Sequence, residues 1–421
     1  MPYTTGQNMH KMKSIPGTHT EKKQAADKTF MDQSLTKLFL RFLRFGCLAW
    51  GGPVAQIAMI KKELVEEERW ISTDQFNRAL SVYQVLPGPE AHELCVYFGM
   101  RAKGRWGGFI AGLGFMLPGF SLMLFFTWFY LTYGLQSPFV QTFFSGVQAA
   151  VVSLIFFAVY RIGKHSIVSY KLFVIAFSAG ISFFLGVNFL FILALAGAAY
   201  VSWNKRNLIP LLLGLALACI TFLTIYYKGV SFSPPSVEPG TVGHQNNFTV
   251  FITGLKAGLL SFGGAYTAIP IVQQDAVITH QWMTQAQFLD GIALSGILPA
   301  PLIIFSTFVG YFGGGWWGAI VITIGVFLPA FSFTLIGHSV LERIIANKAL
   351  HRFLDGVTAG VIGLIAVTAV KLFLTTITSV SAIILFLIAL FVLVKFRSKY
   401  MILFVIAGAG LLSLLWNLVL L

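Results

Sequence analysis

The chain carries the same sequence pattern twice, about 212 residues apart. The matching pairs are Gly51-Gly52 and Gly263-Gly264, Trp70 and Trp282, Gln75-Phe76 and Gln287-Phe288, and Leu86-Pro87-x-Pro89 and Leu298-Pro299-x-Pro301. Later positions keep this register to within two residues, as Leu117-Pro118 and Leu328-Pro329 do. A repeat of this length predicts two linked copies of one structural unit.

The composition places both copies in a membrane. Hydrophobic residues make up 57% of the 421 residues and charged residues only 10%, too few to cover a water-soluble surface. Apolar runs such as Gly107 to Tyr133 and Trp316 to Gly337 are near the roughly 20 residues that a helix needs to cross a bilayer. Lipid offers no partner to a free backbone amide, so the prediction is an all-α polytopic membrane protein.

Cuts at the polar connections predict 13 membrane-spanning segments, seven in or just after the first copy and six in the second. The predicted segments are 36–58, 76–100, 107–133, 139–162, 171–186, 188–204, 207–227, 248–272, 286–312, 316–341, 350–374, 378–394 and 400–421. The chain then divides into a polar cytoplasmic tail, a first membrane repeat, a linking helix with its loop, and a second membrane repeat, at residues 1–35, 36–204, 205–247 and 248–421.

Basic residues fall on alternate connections. With the lysine-rich N-terminus placed in the cytoplasm, the inward connections hold Arg101/Lys103/Arg105, Arg161/Lys164/Lys171, Lys205/Arg206, Arg343/Lys348/Arg352 and Lys395/Arg397/Lys399. The basic turn at Arg101 to Arg105 corresponds to a neutral turn at Gly313 to Gly315 in the second copy. Because cytoplasmic loops attract positive charge, this alternation predicts two repeats of inverted topology, with the C-terminus outside.

One connection does not fit this topology. Residues 61–78 mix lysine and arginine with five carboxylates, yet the scheme places them outside. Either the carboxylates accompany the basic residues across, or residues 36–100 form re-entrant hairpins that leave the loop inside. Both alternatives keep the number of crossings in the first unit odd, and the same choice stays open for residues 248–312.

The paired proline motifs predict interrupted helices. Pro87-Gly88-Pro89 and Pro299-Ala300-Pro301 lie in apolar segments, and proline inside a helix costs roughly 3 kcal/mol or more. A helix that restarts after the prolines exposes free amides and about half a positive charge. Two such starts from inverted copies are expected to converge on an anion site.

Glycines beside these motifs have two interpretations. Gly51-Gly52-Pro53 and Gly263-Gly264 offer backbone amides that a ligand can approach closely, because no side chain intervenes. The alternative is close packing of helices, which small residues also permit in membranes.

Charged residues within the predicted spans are the other site candidates. Arg41 and Arg44 share a helical face and Lys256 is the basic residue of the corresponding span, so these three are candidates to neutralise an oxyanion. The alternative is that their long side chains reach to the interface.

Glu90, His92, Glu93 and Asp290 are candidates to carry protons, since carboxylates and imidazole in a low dielectric titrate near neutral pH. Glu90 can instead be a first-turn residue favoured by the helix dipole.

The sequence gives no sign of a cofactor, a metal site or nucleic-acid binding. Cys47, Cys95 and Cys219 lack the spacing of a disulfide framework or a metal site, and the net charge of +14 is assigned to cytoplasmic loops. Motifs of nucleotide-binding, serine-hydrolase and zinc-protease sites are absent, which argues against an intramembrane enzyme.

Several motifs together resemble the chromate ion transporter family, in its long-chain, two-domain form. They are Phe45-Gly46, Trp50-Gly51-Gly52-Pro53-Val54-Ala55, Glu63, Trp70, Phe76, Gln84-Val85-Leu86-Pro87-Gly88-Pro89 and Leu117-Pro118-Gly119. The resemblance covers essentially all of residues 36–421 and implies a protein of the bacterial cytoplasmic membrane that exports chromate, with sulfate as the similar anion. The expected partners are a small inorganic oxyanion and the lipid bilayer, and a homodimer is left open.

The functional prediction is therefore secondary active export of an oxyanion by alternating access, with chromate first. The alternative is transport of another small anion or solute, with proton coupling through Glu90 and Glu93.

Overall fold

The computed structural model describes residues 34–134, 136–203, 246–336, 347–396 and 398–420, together with positions 214 and 223. The predicted tail up to residue 33, most of the predicted linking segment, and Lys205, Arg206, Arg343 and Arg397 lie outside these residues. The first unit contains α1 (Leu35–Cys47), α2 (Gly52–Ile60, continued by the π-helical Lys61–Glu67), α3 (Thr73–Tyr83), α4 (Glu90–Phe129, continued by the π-helical Tyr130–Gly134), α5 (Pro138–Ser166), α6 (Tyr170–Phe184) and α7 (Phe189–Ser202). The second contains α8 (Asn247–Leu259), α9 (3₁₀ Ala265–Ala268, α Ile269–Gln273, π Gln274–Thr279), α10 (Gln285–Ile297), α11 (3₁₀ Leu302–Ile304, then Phe305–Ile336), α12 (Lys348–Thr376), α13 (Val380–Lys395) and α14 (Met401–Leu420).

The second unit repeats the backbone of the first, helix by helix. Arg69 and Gln281, at equivalent positions, both have a positive φ, of 55° and 52°. Ser72 and Thr284 each begin a helix with a capping box. The sequence repeat is therefore also a repeat of local structure, down to single unusual residues.

The long helices α4 and α11 each reverse direction at a turn that contains glycine. Lys103 and Gly104 leave the helical conformation in α4, as Gly314 and Gly315 do in α11. After the turn in α4, Gly107 packs against the backbone of Gly99, which is possible only if the two halves lie antiparallel. Each long helix is thus a helical hairpin.

Two further hairpins precede this turn in the first unit. Arg44 on α1 forms an ion pair with Glu63 at the end of α2, so α2 returns alongside α1. Phe76 on α3 and Phe98 on α4 stack with ring centroids 6.4 Å apart, so the first half of α4 returns alongside α3. With 13 and 11 residues, α1 and α3 are only about 20 Å long or less, short of the hydrocarbon thickness.

The predicted segments 36–58 and 248–272 are therefore wrong as single helices, whereas the interruption predicted at the proline motifs within 76–100 and 286–312 is confirmed. Each is interrupted where glycines with positive φ or a Pro-x-Pro motif stop the helix. The observed form is that of the hairpin alternative, and it returns residues 68–72 to the end of the unit where α1 begins. By length and composition, five described stretches are able to cross a membrane: Glu90–Gly134, Pro138–Ser166, Leu302–Ile336, Lys348–Thr376 and Met401–Leu418.

The two units exchange their last helices. α6 and α7 pack on α12 of the second unit, and α13 and α14 pack on α5 of the first. At equivalent places in this exchange, the Ser153 hydroxyl donates to the carbonyl oxygen of Phe386 at 2.8 Å, and Gly363 lies against the backbone of Ala176. Neither unit buries its apolar faces without the other.

The equivalent helices α5 and α12 run antiparallel to each other. Phe156 in the second half of α5 contacts Phe373 near the end of α12, with ring centroids 6.1 Å apart. Gly163 near the end of α5 lies beside Ile362 in the middle of α12. Moving along α5 therefore moves backwards along α12.

We expect Gly363→Val to destabilise the fold by roughly 1–3 kcal/mol, because the new side chain meets the backbone of α6. Gly408→Val is the matched control, since Gly408 in α14 has open space where a Cβ would lie. The measurement is the temperature at which half of the detergent-solubilised protein stays monodisperse. Equal temperatures for the two variants would contradict the packing of α6 on α12.

Candidate substrate site between the two units

The helix starts at the four repeat motifs lack side-chain caps. Gly51, Pro89, Gly264 and Pro301 precede α2, α4, α9 and α11, and none of them has a side chain that accepts from the first-turn amides. Nine other described helix starts do have a side-chain cap, supplied by Ser34, Ser72, Ser137, Ser169, Asn188, Asn246, Thr284, Asn347 and Ser379. The motifs therefore concentrate free amide donors.

The two Pro-x-Pro turns each pack against the long helix of the other unit. Gly88 lies against Ala330 of α11, and Ala300 lies against Gly119 of α4. Each contact thus pairs one glycine with one alanine, which explains why the central residue differs between the motifs. Pro87, Pro89, Pro299 and Pro301 are buried with them.

The two Gly-Gly turns occupy different surroundings. Gly263 lies between the methyl groups of Ile162 on α5 and Thr358 on α12, whereas Gly51 lies against the backbone of Lys399. The backbone amide of Gly88 donates to the carbonyl oxygen of Ser261 at 3.4 Å, which joins the first unit's proline turn to the second unit's glycine turn.

Gly264 faces open space although it is itself buried. Apart from Gly264 and its two chain neighbours, no described residue has an atom within 4 Å of the position that a Cβ on Gly264 would occupy, and its φ of 112° suits glycine. Gly52, followed by Pro53 in the first turn of α2, also has open space at its Cβ position, but it is partly exposed. The structure thus leaves room beside the uncapped start of α9.

The predicted basic residues are engaged in ion pairs. Lys256 forms an ion pair with buried Asp275 at 2.8 Å, and Arg44 forms the equivalent pair with Glu63 in the first unit. Arg41 forms an ion pair with Glu68. These pairs hold α1 against α2 and α8 against α9. The sequence alone predicts free anion ligands here, because the acidic partners lie 19 to 27 residues away along the chain.

The acidic candidates after the first proline turn differ in their surroundings. Glu93 is fully buried, its carboxyl lies against Gly88, and neither oxygen has a hydrogen-bond partner among the described residues. Glu90 is partly buried at the start of α4. His92 is packed among the rings of Phe327 and Phe331, with centroid distances of 4.9 and 4.6 Å.

Asp290 lies at a separate place, at the contact of α10 with the first unit. It accepts hydrogen bonds from the Tyr130 hydroxyl at 2.6 Å and from the Gln148 amide at 2.9 Å. Tyr130 and Gln148 were not found by sequence reasoning, because they lie 160 and 142 positions away. The Asp290 carboxyl thus ties the second unit's hairpin to the first unit.

Comparison with known proteins gives the family of this architecture. The family model described as chromate transporter matches residues 36–226 and again 248–414. A chromate transport protein of Pseudomonas aeruginosa is 49% identical over 382 residues, which cover 90% of this chain and 91% of that protein. The chain belongs to the chromate transporter family.

Two further relatives share less of the sequence. A chromate transport protein of Cupriavidus metallidurans is 29% identical over 399 residues, covering 90% of this chain and 93% of that protein. An uncharacterized transporter of Bacillus subtilis, YwrA, is 30% identical over 130 residues, which cover 31% of this chain but 72% of that protein. No solved structure matches. With its apolar helices, this member of the family is a multi-pass membrane transporter.

The ion pairs predict unequal effects in the two units. In Lys256→Met the Thr253 hydroxyl is the remaining described side-chain partner of buried Asp275, so we expect the free energy of unfolding to fall by roughly 1–3 kcal/mol. Arg44→Met removes a pair whose arginine is 56% exposed, so we expect less than about 1 kcal/mol.

The double variant Lys256→Met/Asp275→Asn tests the cause, because it removes the unpaired charge and should recover part of the loss. Thermal unfolding of the purified transporter is the measurement. An unchanged unfolding temperature in Lys256→Met, with binding of chromate abolished, would instead identify Lys256 as a substrate ligand.

Proposed function

We propose that this protein is a secondary active transporter that exports an oxyanion, chromate first, across the bacterial cytoplasmic membrane by alternating access. The observation that carries the proposal is the set of uncapped helix starts from both units, joined where Gly88 meets Ser261. Free amides and the positive end of a helix dipole favour an anion.

The inverted arrangement of the units is part of the proposal. It is supported by the antiparallel course of α5 and α12, which occupy equivalent places in the two units. The hairpins support it too, since they bring the mixed loop at residues 61–78 to the same side as the basic turn at residues 101–105. Every basic connection then lies in the cytoplasm, with the N-terminus inside and the C-terminus outside.

The substrate ligands in this proposal are backbone groups. They are the uncapped amides at the helix starts beside the tips of the hairpins, and the tips comprise Gly51, Gly52, Pro53, Pro87, Gly88, Pro89, Gly263, Gly264, Pro299, Ala300 and Pro301. The prolines of these tips have no N–H and contribute by interrupting the helices. Sulfate shares the tetrahedral shape and double negative charge of chromate, and amide donors have no means of separating the two by charge. Arg41, Arg44 and Lys256 position the hairpins through their ion pairs.

Proton coupling through Glu93 and Glu90 completes the proposal. A buried carboxyl without a partner is far less costly when neutral, so Glu93 carries a proton in this conformation. Its contact with Gly88 places that proton beside the uncapped start of α4. His92 packs among phenylalanine rings and Asp290 accepts hydrogen bonds from two donors, so we assign structural roles to both.

A second candidate function follows from the same carboxyl. Glu93 beside Gly88 suits a small solute with a hydrogen-bond donor, and then the transported species is not an oxyanion. Competition separates the two: under this alternative, neither chromate nor sulfate slows uptake of the solute.

Transport is tested in everted membrane vesicles that contain the protein. We expect labelled chromate to accumulate under an imposed proton gradient and membrane potential, and unlabelled sulfate to compete with it. Vesicles without the protein are the control. No accumulation of either anion under any imposed gradient would overturn the assignment.

Coupling is tested with Glu93→Gln in liposomes that contain a pH-sensitive dye. We expect the variant to bind chromate but to lose chromate-dependent proton movement, because glutamine cannot exchange a proton. Glu67→Gln is the matched control, since Glu67 is 56% exposed at the end of α2. An unchanged ratio of protons to chromate in Glu93→Gln would show that another group carries the proton.

A further inference from the structure

We propose that Arg161 supplies the cationic side chain that binds the transported oxyanion, an inference that rests on the proposed function. Sequence reasoning placed this arginine among the charges of an inward connection. The structure places it five residues before the end of α5, beside the junction of the two units.

The next residue on α5 shows that Arg161 lies near the glycine turn of the second unit. Ile162 packs against Gly263, so the side of α5 next to Arg161 faces the glycine turn of the second unit. The open space beside buried Gly264 begins one residue further along that turn. Arg161 itself is exposed, so its guanidinium is not enclosed within the protein.

The charge of Arg161 acts on both units at once. Its guanidinium interacts electrostatically with the Glu90 carboxyl, at the start of α4, and with the Tyr266 hydroxyl, two residues after Gly264. Both partners adjoin uncapped helix starts. An anion placed between those starts therefore lies within the field of a permanent positive charge.

Arg161 also differs from the other basic candidates in its pairing. Arg41, Arg44 and Lys256 each have a carboxylate within 4 Å, and no described residue forms such an ion pair with Arg161. The nearby carboxyl group is that of Glu90, which interacts electrostatically with Arg161 but does not form an ion pair within 4 Å. An incoming oxyanion thus competes with Glu90 for a guanidinium that is not fully neutralised, and guanidinium suits tetrahedral oxyanions through paired donors.

The equivalent cation in the second unit already contacts aromatic side chains. Lys371 on α12 stands where Arg161 stands on α5, and its ammonium group lies 5.4 Å from the ring centroids of both Phe183 and Phe184. The cation is held against aromatic faces. In this conformation the two units therefore offer, at equivalent places, one exposed cation and one partly buried cation that lies against aromatic rings.

The test uses the full-length protein in liposomes, with chromate and sulfate as probes, and measures both equilibrium binding and the concentration dependence of uptake. We expect Arg161→Gln to weaken binding of both anions about tenfold or more, since a charge-assisted hydrogen bond is lost. Arg161→Lys should recover part of the affinity. Lys164→Gln, which removes the same charge one turn further along α5, is the matched control and should leave affinity unchanged.

Glu90→Gln gives the second readout. We expect it to tighten anion binding in the otherwise unchanged protein, and to have no such effect in the Arg161→Gln background, because the competition needs both residues. A merely structural role for Arg161 would not produce this dependence, and a monodisperse elution profile confirms that each variant is folded.

The outcomes separate the inference from the function on which it rests. If the unchanged protein neither binds nor transports chromate or sulfate, the proposed function fails. If the unchanged protein transports them and Arg161→Gln does so with the same affinity, or Lys164→Gln weakens binding equally, the role of Arg161 fails while the function stands.

Discussion

The structure depends on how each helix start satisfies its backbone amides. In hydrocarbon a free amide has no water to bind and costs several kcal/mol, so a membrane protein must cap its helices or give the amides another partner. Most described helices begin at serine, threonine or asparagine. All four starts that the sequence repeats lack such a residue, and this is what makes them candidates for binding a ligand.

The reciprocal packing of the units keeps those starts together. α5 and α12 are held by the other unit's last helices, and the proline turns interlock through one glycine and one alanine each. Symmetry is broken at the glycine turns: Gly263 enters between α5 and α12, whereas Gly51 lies against Lys399.

Much of this architecture could be predicted from the chain alone. The repeat, the helical class and the restart of α4 after Pro89 follow from local rules, because proline and glycine act on the backbone wherever they occur. The hairpins were left as an alternative, since an apolar segment of 23 residues reads as a crossing unless its break is recognised as a reversal. The partners of Asp290, Lys256 and Arg161 could not be predicted, because they depend on how distant helices pack.

The orientation of the two units is the claim on which the account depends. Arg105 and Trp316 are exposed residues at equivalent places, just after the turns of α4 and α11. Single cysteines at these positions, in a protein whose own cysteines are replaced by serine, can be labelled in intact cells with a reagent that does not cross membranes. The account predicts that Trp316→Cys is labelled from outside and Arg105→Cys only after the membrane is opened. Labelling of both from the same side would contradict it.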